Sequence, residues 1–512
     1  MNLQTLPGVE RPTRVRYGVL GFACSLSMIT YLDRVCIGTV ALSIQSEFKL
    51  TDAQKGLVFT AFALAYAIFE IPSGWLGDVF GPRRTLIRIV LWWSLFTALT
   101  GMVFPSDTWP HLAFLSLLAV RFFFGMGEAG CYPNISRAFH NWFPFGERGF
   151  AQGTVWMAGR FAGGVTPLIV GALMFESKPT AQQSLSAVSA STIGLMGTPG
   201  GALSSAVSLF PNREELFVTS HWRHTFWIFG SIGLIWCMLF WWWFCDRPEQ
   251  KSGVNEAELA LIRRGETHEA AHAGVPWARL LTNANLWALC MMYFCAAYGW
   301  YLNITYLPGY LKEMHGLDKG AKWSADFWQY HLMSGMPLLF GCVACLCGGM
   351  LTDVFIRRTG NRKWGRRLFG VIGHSTCALC YFLSIFAGNP WLFVLAVAMA
   401  SFCNDLTMGS AWASCLDIGR KYSGIVAGCM NTVGNLGGAA AGYLTGWILV
   451  LARQVSGAPD GTPNYLGWRI NLCIFGAVYL VATVFWLRFD STKPVVADEH
   501  PPATGLGENN SV

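Results

Sequence analysis

Apolar runs of about twenty residues or more, parted by short polar or basic turns, recur along nearly the whole chain. Each is long enough to cross roughly 30 Å of hydrocarbon as a helix. Reading runs against turns predicts helices near 17–40, 53–77, 85–104, 112–136, 150–175, 222–245, 285–311, 326–352, 367–388, 391–416, 423–452 and 468–489. The fold class expected is therefore an all-α membrane protein of twelve transmembrane helices. Tryptophans gather at the ends of the runs, as in Trp92-Trp93, Trp241-Trp242-Trp243 and Trp300, where an indole can sit at headgroup level.

Composition agrees with the pattern. The 512 residues are 53% hydrophobic and 13% charged, against about 25% charged for an ordinary soluble domain. Length alone would suggest several soluble domains, but the runs make one membrane unit. No small-residue cleavage pattern follows Arg11, Arg14 and Arg16, so a removable signal peptide is not expected. The net charge of +7 does not point to nucleic acid, because the basic residues fall in alternate loops. The sixteen cysteines sit mostly singly inside apolar runs (Cys24, Cys36, Cys290, Cys377, Cys429), which reads as small packing residues. Cys342, Cys345 and Cys347 lie mid-helix beside Gly341 and Gly348.

The loops sort by charge. The N-terminal tail, Arg83-Arg84, Arg148, Lys251 with Arg263-Arg264, the run from Arg357 to Arg367, and Arg420-Lys421 all fall on one side. The positive-inside rule then puts both termini in the cytoplasm of a cell whose inner or plasma membrane holds the chain. The organisation expected is a tail (1–16), a first six-helix bundle (17–245), a linker (246–284), a second bundle (285–489) and a disordered tail (490–512). The first bundle carries a Ser/Ala/Gly-rich external insertion at about 176–221. Glu256, Glu258, Arg263, Arg264 and Glu266 give the linker helical charge spacing, as of a solvated helix.

The two bundles repeat. Gly74-Trp-Leu-Gly-Asp78-Val-Phe80 ends predicted helix 2 and Gly349-Met-Leu-Thr-Asp353-Val-Phe355 ends predicted helix 8, each before a basic cluster. Repeated halves with a site at their interface are a transporter architecture.

Further stretches carry a family resemblance: Tyr31-Leu-Asp-Arg34, Gly56 to Phe62, Pro72 to Asp78 with Gly81-Pro-Arg-Arg84, Arg121 to Glu128, Trp142-Phe-Pro144 with Glu147-Arg148, Trp156 to Gly164, Gly299 to Leu311, Asn404-Asp-Leu406, Trp412 to Asp417, and Asn431 to Gly438. They span most of the chain. The sequence resembles the major facilitator superfamily, and within it the anion:cation symporter family of hexuronate, glucarate and galactonate importers and their vesicular and phosphate-type relatives. The resemblance implies a secondary transporter that imports a small organic anion, a sugar acid or related carboxylate, with protons. A monomer suffices for that fold, with the lipid bilayer as its solvent, and no cofactor or metal is implied.

Candidate chemistry lies in charged residues at membrane depth, where each costs roughly 2.5–3.5 kcal/mol on the mild insertion scale. Asp33 and Arg34 have two open readings: an ion pair that pins helix 1, or a proton-exchanging Asp33 beside an anion-holding Arg34. The resemblance implies the second. Tyr31 falls on nearly the same helical face as Arg34 and can donate to a carboxylate. Arg121 and Glu128, two turns apart, lie about 10.5 Å from each other along one face. They read either as a static network or, as the resemblance implies, as an anion-binding arginine and a proton-coupling acid.

Arg160 offers a forked donor suited to carboxylate, or it neutralises Glu128 or another acid. Tyr66, Tyr298, Tyr301 and Trp412 are candidate substrate contacts or packing aromatics. Asn431 and Asn435, four apart among glycines, reach for hydroxyls or brace a neighbouring helix. Asn404 and Asp405 are similar, and Glu70 is embedded without an assigned role. Asp78 with Arg83 and Arg84, and Asp353 with Arg357, sit where helices emerge. The resemblance implies gates there, beside a topological role for the basic residues. The chain has no nucleophile elbow, phosphate-cradling Gly-Lys loop or His/Glu metal motif, so it is not expected to be an enzyme. A sodium- or phosphate-linked carrier of the same fold, a drug exporter and a non-transporting membrane sensor are the alternatives. Three membrane-depth arginines argue against cationic drugs.

Overall fold

A computed structural model describes residues 11–106, 108–173, 221–263, 275–317, 325–457, 459 and 462–496. Among the described residues all regular structure is helical. The first half comprises α1 (Val15–Glu47), α2 (Asp52–Phe80), α3 (Pro82–Thr100), α4 (Pro110–Glu128, continued by Cys131–Trp142), α5 (Arg148–Leu173) and α6 (His221–Trp243). The second comprises α7 (Ala284–Tyr301, continued through a π turn at Leu302–Tyr306 into Leu307–His315), α8 (Ala325–Thr359), α9 (Arg362–Ser384), α10 (Pro390–Asp405, continued by Met408–Gly419), α11 (Ser423–Ser456) and α12 (Tyr465–Arg488). These are the twelve spans expected, in two pseudo-repeated six-helix bundles.

Among the described residues, seven stretches are long and apolar enough to cross a membrane by length and composition alone, and one of them, Pro390–Ser456, takes in both α10 and α11. Some of the other rods are diluted by charge, since α3 opens on Arg83 and Arg84 and α9 on Arg362 and Lys363.

Local chemistry sets the boundaries. Thr51 and Gln54 form a reciprocal capping box at the start of α2. Gly81, at φ 86°, ends that helix, and Pro82 opens α3. Three helices expected to be continuous, α4, α7 and α10, are not. The π turn in α7 precedes Pro308, whose ring nitrogen has no hydrogen to continue the α ladder. The break in α4 is taken up below.

The insertion at 176–221 lies outside the described residues apart from its last position. Of the linker, Glu256–Arg263 is helical, while Arg264 and Glu266 lie outside the described residues. The solvated helix expected there needs correcting, because Glu258 is fully buried. Its carboxylate accepts from Thr13 Oγ1 (2.5 Å), from the backbone N–H of Val15 (3.2 Å) and Arg16 (3.3 Å), and from Arg16 Nη1 (2.9 Å). A carboxylate on the orphan first-turn amides of α1 is a cap supplied in trans, and it ties the linker to the first half.

Candidate functional site

Matching helices of the two halves, α4 and α10, are broken at matching places. Each resumes as a twelve-residue segment, Cys131–Trp142 and Met408–Gly419. In α4 the break falls at Gly130, whose φ of 85° lies in the left-handed region and whose added Cβ would stand 2.2 Å from Ser73 Cβ. An acid therefore closes the first segment of each broken helix, Glu128 in α4 and Asp405 in α10, and both are fully buried. Paired interruptions at membrane depth, with polar groups turned inward, mark where a repeated bundle houses its ligand chemistry.

Around Glu128 the structure gathers three further charged residues, Asp33, Arg34 and Arg121. Arg34 Nε donates to Glu128 Oε1 at 2.7 Å, and the guanidinium lies 4.5 Å from the Tyr66 ring centroid. Arg121 is packed over Phe124 (4.4 Å) and Phe62 (5.3 Å). Many polar atoms of this group are buried without a hydrogen-bond partner: both carboxylate oxygens of Asp33, Nη2 of Arg34, Nε of Arg121 and Oε2 of Glu128. Leaving such an atom unpaired costs about 1–3 kcal/mol, more when it is charged. Four charged residues share this condition, which makes the group the candidate site.

A second ion pair lies between the halves. Arg160 of α5 grips Asp405 with Nε (2.9 Å) and Nη2 (3.1 Å), and its Nη1 donates to Tyr31 Oη at 2.8 Å. Of the two sequence readings of Arg160, this conformation realises the one in which it neutralises an acid, and the acid is Asp405 rather than Glu128. Beneath it Trp156, stacked on Tyr132 at 4.5 Å, and Trp412, hydrogen-bonded through Nε1 to Tyr293 Oη at 3.2 Å, form an aromatic layer.

The sequence assigns Glu70 no role, and the structure supplies its surroundings. Asn431 Nδ2 donates to Glu70 Oε1 at 2.5 Å and to Tyr66 Oη at 3.3 Å, and Asn435 Nδ2 reaches Glu70 Oε2 at 3.3 Å. Asn431 and Asn435 thus join α11 to α2. An embedded acid one turn beyond Tyr66, with two amides four apart in the other half, was the signal available in sequence. Tyr298 is packed against Phe475 in the core of the second half, and Tyr301 lies beside Gly438 and Gly442 of α11. The structure does not bring Tyr298 to the polar cluster.

At the end of the bundle that carries the basic loops, two seams close the halves on each other in matching ways. Asp78, ending α2, accepts from the amides of Gly424 (3.0 Å) and Ile425 (2.8 Å) in the first turn of α11. Asp353, near the end of α8, accepts from Gly149 (3.2 Å) and Phe150 (2.7 Å) in the first turn of α5. Each acid thereby satisfies orphan amides at a positive helix end. The backbones meet one turn away: a Cβ on Gly74 would stand 2.4 Å from the Gly424 carbonyl oxygen, and one on Gly349 2.3 Å from that of Gly149.

The arginines expected beside these acids are not their partners. Arg83 donates its amide to Asp246 at 2.7 Å and its guanidinium to the Trp241 carbonyl, because the Gly81 turn aims the start of α3 at α6. Arg84 and Arg357 are exposed. Arg137 stands 3.7 Å from Asp78, and buried Arg366 bridges Asp353 (3.1 Å) and Asp417 (3.0 Å). A cleft of about 810 Å³ at the opposite end, lined by Glu313, Arg453 and Asn464, is remote from all of this. Its Glu313 is held by Arg453 at 2.9 Å and by the Asn464 amide at 3.1 Å.

Residues 23–442 match the Major Facilitator Superfamily. The chain belongs to that superfamily. It is a multi-pass membrane transporter, not an enzyme. A probable sulfoacetate transporter of Cupriavidus necator is 32% identical over 90% of this chain and 95% of its own length. A probable galactarate/D-glucarate transporter of Escherichia coli is 24% identical over 94% and 96%, and a hexuronate transporter of Bacillus subtilis 26% over 86% and 89%. Among solved structures, a major facilitator proton:xylose symporter matches with a TM-score of 0.63 at 13% identity, over 94% of this chain and 98% of its own. At that identity the likeness speaks for the fold alone.

Proposed function

We propose that this transporter imports a small organic anion, a sugar acid or a related carboxylate or sulfonate, in symport with protons by alternating access. The observation that carries the proposal is the set of unpartnered charged atoms on Asp33, Arg34, Arg121 and Glu128. The relatives whose names specify galactarate or glucarate, hexuronate and sulfoacetate support the anion class. Arg121 is the standing cation of the site. Arg34 is held by Glu128, so a proton on Glu128 releases Arg34, and two guanidinium groups then face the cargo. Proton and anion each favour the other's binding, and thermodynamic linkage makes that coupling reciprocal. Asp33, buried beside this group with neither oxygen paired, is the second proton site. Tyr31, Tyr66, Asn431 and Asn435 supply hydroxyl and amide contacts around it.

The basic end is the cytoplasmic one by the positive-inside rule, with both termini inside. Residues 17–245 and 285–489 are the rocking halves, 246–284 links them, and one monomer in the plasma membrane carries the cycle. Asp78 and Asp353 hold the inner side shut in this conformation, and transport requires both seams to open.

Uptake of labelled glucarate, glucuronate and sulfoacetate into proteoliposomes, with and without an inward proton gradient, tests the reading. Gradient-driven accumulation is expected in the parent. Glu128→Gln, which mimics the protonated acid, should lose accumulation yet keep anion exchange. Accumulation that follows sodium instead, or that survives in Glu128→Gln, would remove the proton assignment.

A further inference from the structure

The Arg160–Asp405 pair has neighbours that its own hydrogen bonds do not explain. The guanidinium carbon lies 4.3 Å from the Trp300 ring centroid and 5.7 Å from that of Trp156. Both indole Nε1 groups are buried without an acceptor. Two indole N–H donors without an acceptor, on rings that lie beside a buried cation already paired with Asp405, leave donor capacity next to Arg160 for a further acidic group. Asp405 fills only the guanidinium fork. Asn404 Nδ2 also donates to it at 2.9 Å, and α8 passes so close that a Cβ on Gly341 would stand 2.1 Å from Asp405 Oδ2. Tyr31 Oη ties the same guanidinium to α1 three residues from Arg34. This assembly therefore adjoins the Asp33–Arg34 site.

We propose that Arg160, with the indole N–H groups of Trp156 and Trp300, seats a second acidic group of the cargo, and that Asp405 is the resident counter-ion which that group displaces. The cargo class is then a compact dianion, with one acidic group at Arg121 and Arg34 and the other at Arg160. The inference rests on the anion-transport reading and narrows it. When the cargo takes Arg160, Asp405 retains the Asn404 amide. Asp405 is thus a specificity residue: in the empty protein it cancels the cation that would otherwise favour divalent anions.

The test is titration calorimetry on the full chain in nanodiscs with two matched probe pairs, glucarate against glucuronate and sulfoacetate against isethionate, in which one member has two acidic groups and the other one. Asp405→Asn should raise the preference for the divalent member roughly tenfold or more, the effect of one charge-assisted contact. Arg160→Gln combined with Asp405→Asn should return the preference to the parent's or below. Trp300→Phe should weaken the divalent member several-fold and leave the monovalent one unchanged. An unchanged ratio in Asp405→Asn, or a raised ratio that survives in the double variant, would overturn the proposal. If Asp405→Asn does not fold, unchanged glucarate and sulfoacetate binding by Trp300→Phe overturns it. A parent that binds neither member of either pair counts instead against the anion reading beneath it.

Discussion

Glu128 and Asp405 close the first segments of matching broken helices, yet they take their guanidinium partners from different places. Arg34 comes from α1, in the same half as Glu128, whereas Arg160 comes from α5, in the half opposite Asp405. The first pair can open with the halves at rest, because both partners belong to one half. The second cannot open without changing what holds the halves together. Duplication has supplied one position twice, and the choice of partner keeps one ion pair within a half and makes the other a link between the halves.

The sharpest way to break that comparison is to remove each arginine in turn. Arg160→Ala leaves Asp405 as an unpaired buried charge at the interface, a loss of roughly 3–5 kcal/mol. Amides in the first turns of α5 and α11 should then exchange with deuterium about a hundredfold faster, as read by mass spectrometry of peptides holding Gly149-Phe150 and Gly424-Ile425. Arg34→Ala should abolish anion uptake but change exchange at those turns only a few-fold. Equal loosening of the seams by both variants would mean that the two pairs do not differ in kind.

The same asymmetry continues at the basic end. Asp353 caps α5 and pairs with fully buried Arg366 at 3.1 Å, while Asp78 caps α11 and stands 3.7 Å from Arg137 among its contacts. Asp353→Asn keeps one acceptor oxygen for the amides of α5 but gives up the second acceptor and the charge, and it leaves Arg366 with half its counter-charge. Exchange at Gly149 and Phe150 should rise about tenfold in Asp353→Asn. Asp78→Asn should raise exchange at Gly424 and Ile425 by a smaller factor of a few. The reverse order would show that the α2–α11 seam, with its Glu70 and paired asparagines, is the stronger clasp.

The spans were legible because a run such as Leu234 to Trp243 has no soluble alternative, and the repeat was legible because Asp78 and Asp353 sit in matching turns. Pairings were not. Arg160 and Asp405 lie 245 residues apart in sequence, and whether they meet depends on the rotation of α5 against α10, which no local period records. The break after Glu128 was hidden in Gly127-Glu-Ala-Gly130, because a glycine beside small residues is as much at home in close helix packing. Only the left-handed φ at Gly130 tells the two apart. Glu258 misled for a similar reason: charge spacing places it on a helix face, but not which face covers the amides of α1.

Arg357 is where sequence and structure differ most plainly, and it carries the smallest expected effect. It follows Asp353 by four residues on one helix, the spacing at which oppositely charged side chains ordinarily pair. Asp353 instead turns inward to two amides and Arg366, leaving Arg357 exposed. An exposed arginine of this kind contributes about 0–1 kcal/mol at most. Arg357→Ala should therefore alter exchange at Gly149 and Phe150 by less than about twofold, and uptake by no more than that. Unchanged exchange with uptake reduced tenfold would place Arg357 in a contact made only when the inner side is open, and the gate would then hand Asp353 from Arg366 to Arg357 as the halves rock.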